Sequence, residues 1–216
     1  MNHAGGPVVV IGAGGHAKVL ISVLRAAGYE VSAIYDDFPE KNSLQLSGVP
    51  ILGPIAALED HAETQAVIAI GDCGVRERIA NGFRKIHWIT AIHPASYVDP
   101  TTRLGPGTVI FAGAVVQPDA VLGAHVIINT GATVDHDCWV EDFAHLAPGV
   151  HLAGGVRIGH GAFLGAGSVV IPNRTVGSTT VVGAGGVVID DLPPAVVAVG
   201  VPAKPIRPAR VAEPQC

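Results

Sequence analysis

Residues 98–193 read VDPTTRLGPGTVIFAGAVVQPDAVLGAHVIINTGATVDHDCWVEDFAHLAPGVHLAGGVRIGHGAFLGAGSVVIPNRTVGSTTVVGAGGVVIDDLP. An aliphatic residue returns every sixth position without a miss: Val98, Leu104, Ile110, Val116, Leu122, Ile128, Val134, Val140, Leu146, Leu152, Ile158, Leu164, Val170, Val176, Val182 and Val188. Four residues after most of them stands a second small or aliphatic side chain, such as Thr108, Ala114, Val126, Ala132, Cys138 and Ala162, with Arg174 the clear exception. A period of six fits neither the 3.6 of an amphipathic helix nor the 2 of a strand. It is the period of a hexapeptide β-helix, in which each unit supplies one short strand and one corner and three units close a coil.

A second period of eighteen supports the first. Gly113, Gly131, Gly149, Gly167 and Gly185 recur at one corner, which predicts positive φ or close backbone approach there. The run therefore reads as a triangular prism of about five coils, with chemistry confined to corners and outer faces. One corner column, two residues after Val98, Val116, Val134, Leu152, Val170 and Val188, reads Pro100, Pro118, His136, Gly154, Pro172 and Asp190. Its single histidine is followed by Asp137. Histidine serves as a general base near neutral pH, and an adjacent carboxylate can hold its tautomer. Gly154, one coil on, leaves open space beside the imidazole and offers an N–H to a developing oxyanion. Asp137 shares its column with Asp119, Asn173 and Asp191, so a plain turn residue is the competing reading. Histidines 125, 145, 151 and 160 form no pairs stacked at coil spacing, which argues against a zinc site.

Before the prism the pattern is α/β. Pro7–Ile11 is an apolar run that meets Gly12-Ala13-Gly14-Gly15-His16-Ala17, Lys18–Ala27 reads as a helix closed by Gly28, and Glu30–Tyr35 is a second strand ending at Asp36-Asp37. Glycines between a strand and a helix N-terminus let backbone N–H groups approach a phosphate, and an acid after the second strand can accept from a ribose or base. Pro54–His61 reads as helix, Gln65–Ile70 as a strand ending at Gly71-Asp72, Val75–Phe83 as helix and Ile86–Ala91 as one more strand. Fewer than a hundred residues supply only one mononucleotide half, which disfavours an NAD enzyme. The expected divisions are an α/β unit over 1–91, a β-helix over 92–193 and a C-terminal capping tail over 194–216.

With 216 residues, 14% charged and a net charge of −5, the chain has no basic footprint for nucleic acid or anionic lipid. Its three cysteines form no metal or disulfide pattern, and neither a leader nor a spanning segment is evident in its first residues. The expectation is a reduced, cytoplasmic protein.

GAGGHA with Asp36-Asp37-Phe38, Ala69-Ile70-Gly71, the TGATVDHDCW…LGAGSVV block and the final VGVPAKPIR together resemble the hexapeptide-repeat nucleotide-sugar acetyltransferases. The resemblance implies a Rossmann-like N-terminal domain, a left-handed parallel β-helix and acetylation of a 4-amino-deoxysugar carried on GDP or UDP, as in polysaccharide or glycan biosynthesis. Acetyl-CoA is the implied co-substrate, with no metal. The implied catalytic base is His136, its orienting acid Asp137 and the oxyanion amide Gly154. Implied acetyl-CoA contacts are His145, Ala166 and Ala184; implied nucleotide-sugar contacts are Gly14, Gly15, His16, Asp36, Asp37 and Gly71. A homotrimer with sites between subunits is implied. Exposed strand edges at the ends of a prism invite aggregation, so the N-terminal domain is expected to cover one end and residues 192–208 the other. Sugar O-acetylation of the sialic acid type is the nearest alternative, and a zinc γ-carbonic-anhydrase-like enzyme a more distant one.

Overall fold

The computed structural model describes residues 6–38, 40, 44–58 and 64–209. Strand β1 (Val8–Ile11) is almost wholly buried, as a central parallel strand covered on both faces should be. It lies between β2 (Val31–Tyr35) and β5 (Gln65–Ile68), both parallel to it. Strand β4 (Val49–Gly53) extends the sheet beyond β2, and β3 (Gln45–Leu46) turns back on β4 as an antiparallel hairpin not anticipated from sequence. The short β6 (His87–Trp88) closes the other edge.

Helix α1 (Gly15–Ala26) starts within the glycine turn, three residues earlier than expected, and buries Ala17, Leu20, Ile21 and Leu24 at helical spacing. Helix α2 (Cys73–Gly82) is capped by Asp72, whose Oδ1 accepts from Val75 N–H at 2.8 Å. Of the helix expected over Pro54–His61, the described part is a single 3₁₀ turn at Ile55–Ala57; residues 59–61 lie outside the described residues, as do 210–216 of the expected tail.

From Ala91 onward, two-residue strands recur every sixth position and pair in parallel with strands eighteen residues away, as Val109 with Ile127 and Thr133 with His151. They build three sheets, giving five coils plus two further strands against the expected five or so. The second residue of each strand points inward: Ile110, Val116, Ile128, Val134, Val140 and Leu164 are fully buried. Small corner residues such as Ala114 and Ala132 fill the space between them. Thr108 settles its buried hydroxyl by donating to the Gly123 carbonyl at 2.7 Å. Arg174 breaks the rule by remaining partly exposed near Asp191. The glycine column has φ of +66 to +70°, as its period required.

The expectation that the N-terminal unit covers an end of the prism is incorrect. It packs on a flank, where Ala91, Val109, Phe111 and Ile127 join the core of β1 and α1. The cause lies in the outward strand positions of this face, which are apolar over the first coils and cost free energy unless covered. The inward residues of the first coil, Ile92, Val98 and Leu104, are only partly buried. At the other end Leu192, Ala198 and Ala203 join the prism core, and a hairpin of Val196–Gly200 and Ala203–Pro208 extends one sheet.

Candidate active site

The corner after Thr133–Val134 holds His136. Asp137 has φ +58°, matching Asp119, Gly155 and Asn173 in its column at +60, +69 and +58°. Aspartate tolerates this left-handed conformation, and here it aims the carboxylate at the preceding side chain: His136 Nδ1 donates to Asp137 Oδ2 at 2.7 Å. The turn reading and the partner reading of Asp137 describe one conformation. A carboxylate only accepts, so Nδ1 carries the proton, and Nε2 is left as the acceptor of the neutral ring. The bond to Asp137 raises the His136 pKa above the ordinary imidazole value, with Asp135 adding to it. Both side chains are well exposed, at 61% and 67%.

The space expected beside Gly154 is taken by the ring itself. A Cβ built on Gly154 would lie 2.6 Å from His136 Cε1 and 2.7 Å from Nε2. The Gly154 carbonyl accepts from Asn173 N–H at 3.0 Å, while its N–H has no acceptor among the described residues.

A second cluster forms where the flank meets the N-terminal unit. His145, 7% exposed, donates from Nδ1 to the Gly71 carbonyl at 3.0 Å, and its Nε2 accepts from Asn129 Nδ2 at 3.3 Å. Its ring meets Phe163 edge-on and lies 6.0 Å from that of His16, which packs on Phe111. The buried Nε2 of His16 has no partner among the described residues. Burial, and after it the Arg76 charge for His16 and the Arg76 and His16 charges for His145, press both pKa values down to about 4, although the Gly71 bond opposes this at His145. Both rings are neutral near pH 7. Thus His145, assigned from sequence to the co-substrate, and His16 and Gly71, assigned to the nucleotide sugar, stand together.

In the glycine turn, Gly12 carries the conformational demand: φ is +104° and an added Cβ would meet Ile70 Cγ1 at 2.8 Å. Gly14 and Gly15 are exposed, with nothing near a Cβ. Asp36 is buried; its Oδ2 accepts from Ala13 N–H at 2.6 Å and its Oδ1 from Phe38 N–H at 3.0 Å. It therefore shapes the glycine turn from within. Asp37 is exposed, accepts from Ile55 N–H through Oδ1 and, with Phe38, Ile70, Arg78 and Phe83, borders a cavity of about 710 Å³ between β2 and α2.

Ala166 and Ala184 are exposed on the corner of the glycine column. A full face of the prism separates them from the corner of His136. Lys204 pairs with Asp190 at 3.0 Å, and among the described residues the Arg207 side chain bonds only the Pro208 carbonyl. No three His, Cys, Asp or Glu side chains converge as metal ligands among the described residues, and no helix among them is long and apolar enough to cross a membrane.

Sequence reading missed Arg76. Only 1% exposed, it donates to carbonyls of both units: Nε to His125 at 2.9 Å, one terminal nitrogen to Ile70 at 2.9 Å and the other to Phe143 at 2.6 Å. An arginine within a short amphipathic helix gives no sequence signal of burial, because its acceptors come from coils far along the chain.

Comparison with known proteins agrees with this anatomy. Residues 7–83 match the PglD N-terminal domain family and residues 137–172 the bacterial transferase hexapeptide family. The chain superposes on GDP-perosamine N-acetyltransferase from Caulobacter crescentus, solved with CoA and GDP-perosamine, with TM-score 0.87, 45% identity, and coverage of 93% of this chain and 97% of that one. It also superposes on the acetyltransferase domain of PglB from Neisseria gonorrhoeae FA1090, solved with acetyl coenzyme A, with TM-score 0.86, 36% identity, and coverage of 94% and 100%. Uncharacterized protein L142 of Acanthamoeba polyphaga mimivirus is 32% identical over 90 residues, 42% of this chain and 18% of that protein; the chain spans less than a fifth of its length. With a two-domain anatomy matched over 93% and 94% of its length by enzymes of 45% and 36% identity, this chain belongs to the hexapeptide-repeat nucleotide-sugar acetyltransferase family.

Proposed function

We propose that this protein transfers an acetyl group from acetyl-CoA to the amino group of a nucleotide-linked 4-amino-deoxysugar, with GDP-perosamine the first substrate to test and UDP-4-amino sugars the next. The observation that carries the reading is the His136–Asp137 pair on an exposed corner, its ring packed against Gly154, whose N–H has no acceptor among the described residues. His136 Nε2 accepts a proton from the sugar amine as the nitrogen attacks the thioester carbon. The Gly154 N–H holds the oxyanion, and on collapse His136 returns the proton to the departing CoA sulfur. The amine is acetylated directly, and no acyl-enzyme forms. The exposed Ala166 and Ala184 form a shallow groove suited to a pantetheine arm, with His145 nearby on the preceding face. Gly14, Gly15, His16, Asp37 and Gly71 line the nucleotide-sugar side, and Asp36 holds its glycine turn in shape. These divisions correspond to residues 1–91, 92–193 and a tail from 194.

Because the base and the groove occupy different corners, one copy supplies the base and a neighbour the groove. The outward residues between those corners, among them Val115, Val169 and Val187, are half-buried apolar side chains suited to such contact. The assembly proposed is a homotrimer, working in the cytoplasm in glycan biosynthesis. The test is release of CoA thiol over a panel of GDP-, UDP- and dTDP-linked amino sugars and free sialic acid. Turnover is expected with a GDP- or UDP-linked amino sugar, lowered about 10²–10⁴-fold by His136→Asn. Turnover confined to a hydroxyl acceptor, or no release at all, rejects the assignment; a monomer by sedimentation rejects the trimer.

A further inference from the structure

Arg76 is a buried cation with no carboxylate bonded to its guanidinium among the described residues. Among the described residues its partners are carbonyls and one sulfur: His125 and Phe143 from adjacent coils, Ile70 and Gly71 from the loop before α2 at 2.9 and 3.2 Å, a long contact to Asp72 at 3.4 Å, and Cys73 Sγ at 3.7 Å. Asp72 spends its own carboxylate on the cap of α2. His125 and Phe143 stand in left-handed corners with φ of +54 and +59° and stack face to face at 5.1 Å. The guanidinium thus grips two successive coils and the nucleotide-sugar loop at once, a planar fork's task that an ammonium cannot copy. The Gly71 carbonyl that it holds is the one that accepts from His145 Nδ1. That bond leaves the proton on Nδ1 and Nε2 as the acceptor of the Asn129 amide.

We propose that Arg76 is a positioning residue for acetyl transfer: by fixing the Gly71 carbonyl against the prism it sets the orientation and tautomer of His145 and aligns the nucleotide-sugar side with the β-helix. The inference rests on the acetyltransferase reading for its kinetics, and on the ring of His145 alone for its spectroscopy. A second contact between the same two units, His160 Nε2 with Glu77 Oε1 at 3.1 Å, does not touch Gly71 and serves as the control.

The test begins with the ring nitrogens of His145 in the wild-type full chain, read by ¹⁵N NMR near neutral pH. The expected spectrum is a neutral ring protonated at Nδ1; protonation at Nε2 alone overturns the proposal whether or not any variant folds. Arg76→Lys and Arg76→Gln are then compared with Glu77→Gln. For the folded protein, both Arg76 variants should lower kcat by about ten- to a hundredfold, the scale of an ångström's misplacement. Binding of GDP-perosamine without CoA should change little, and the His145 tautomer should become mixed. Glu77→Gln should leave kcat and the tautomer unchanged. Wild-type kcat in folded Arg76→Gln, or an equal loss in Glu77→Gln, overturns the proposal by reducing Arg76 to general docking. Absence of CoA release by the wild type defeats the acetyltransferase reading and leaves the tautomer measurement standing.

Discussion

Gly154→Ala should disable the enzyme while leaving the fold intact. Gly154 has no positive φ, so its backbone accepts alanine. The conflict is with one side chain: the new Cβ would lie 2.6 Å from His136 Cε1, whereas ordinary contact begins at 3.4 Å. The imidazole must retreat by close to an ångström, and because it is 61% exposed it can do so into solvent. Stability should therefore change by less than about 0.5 kcal/mol, the range of surface substitutions. The displaced ring loses its 2.7 Å bond to Asp137 and its place against Gly154. A misplacement of an ångström costs about 10²-fold, roughly 2.7 kcal/mol of transition-state stabilisation. The assay is CoA release on GDP-perosamine, with thermal unfolding in parallel and His136→Asn as the floor. A folded Gly154→Ala protein with wild-type kcat would refute the placement of catalysis at this corner.

Asp137→Asn removes the main cause of the raised His136 pKa. A base works when unprotonated, so activity rises as pH rises through that pKa. In the variant the acid limb of the kcat profile should move to lower pH with a lower plateau; an unmoved limb would separate Asp137 from the base. Asp36→Ala leaves the Ala13 and Phe38 N–H groups without their carboxylate and should cost about 1–3 kcal/mol in chemical denaturation, along with weaker nucleotide-sugar binding; unaltered binding would deny that the glycine turn needs its buttress. Gly131→Ala meets no neighbour but holds φ +66°, so it should cost about 1–2 kcal/mol with kcat unchanged, Gly131→Asn being milder; equal stability would show that the corner relaxes.

The β-helix was legible because its contacts are periodic. Each coil repeats at eighteen residues, so the inward aliphatics and the left-handed glycine column follow from the sequence alone. His136 was legible for the same reason, as the odd residue in a column of turn formers, and its neighbour Asp137 came with it. The strand, glycine turn and first helix before the prism were legible in outline, although α1 begins earlier than its glycines suggested. The hairpin of β3 and β4 was not, because β3 is only two residues long and β4, VPILG, alternates in burial but not in polarity.

What tertiary structure decided lies where the two units meet. No period relates Gly71 to His145, or Arg76 to the carbonyls of His125 and Phe143, since these contacts join segments 49 to 74 residues apart. The family resemblance assigned His145 to one substrate and His16 and Gly71 to the other, and docking on the flank brought them into one cluster. The docking itself follows from Val109, Phe111 and Ile127, whose apolar outward positions needed a cover. The sequence by itself determined the prism and the corner that bears His136. Only the folded chain determined which face was covered, because burial depends on what another segment brings to it.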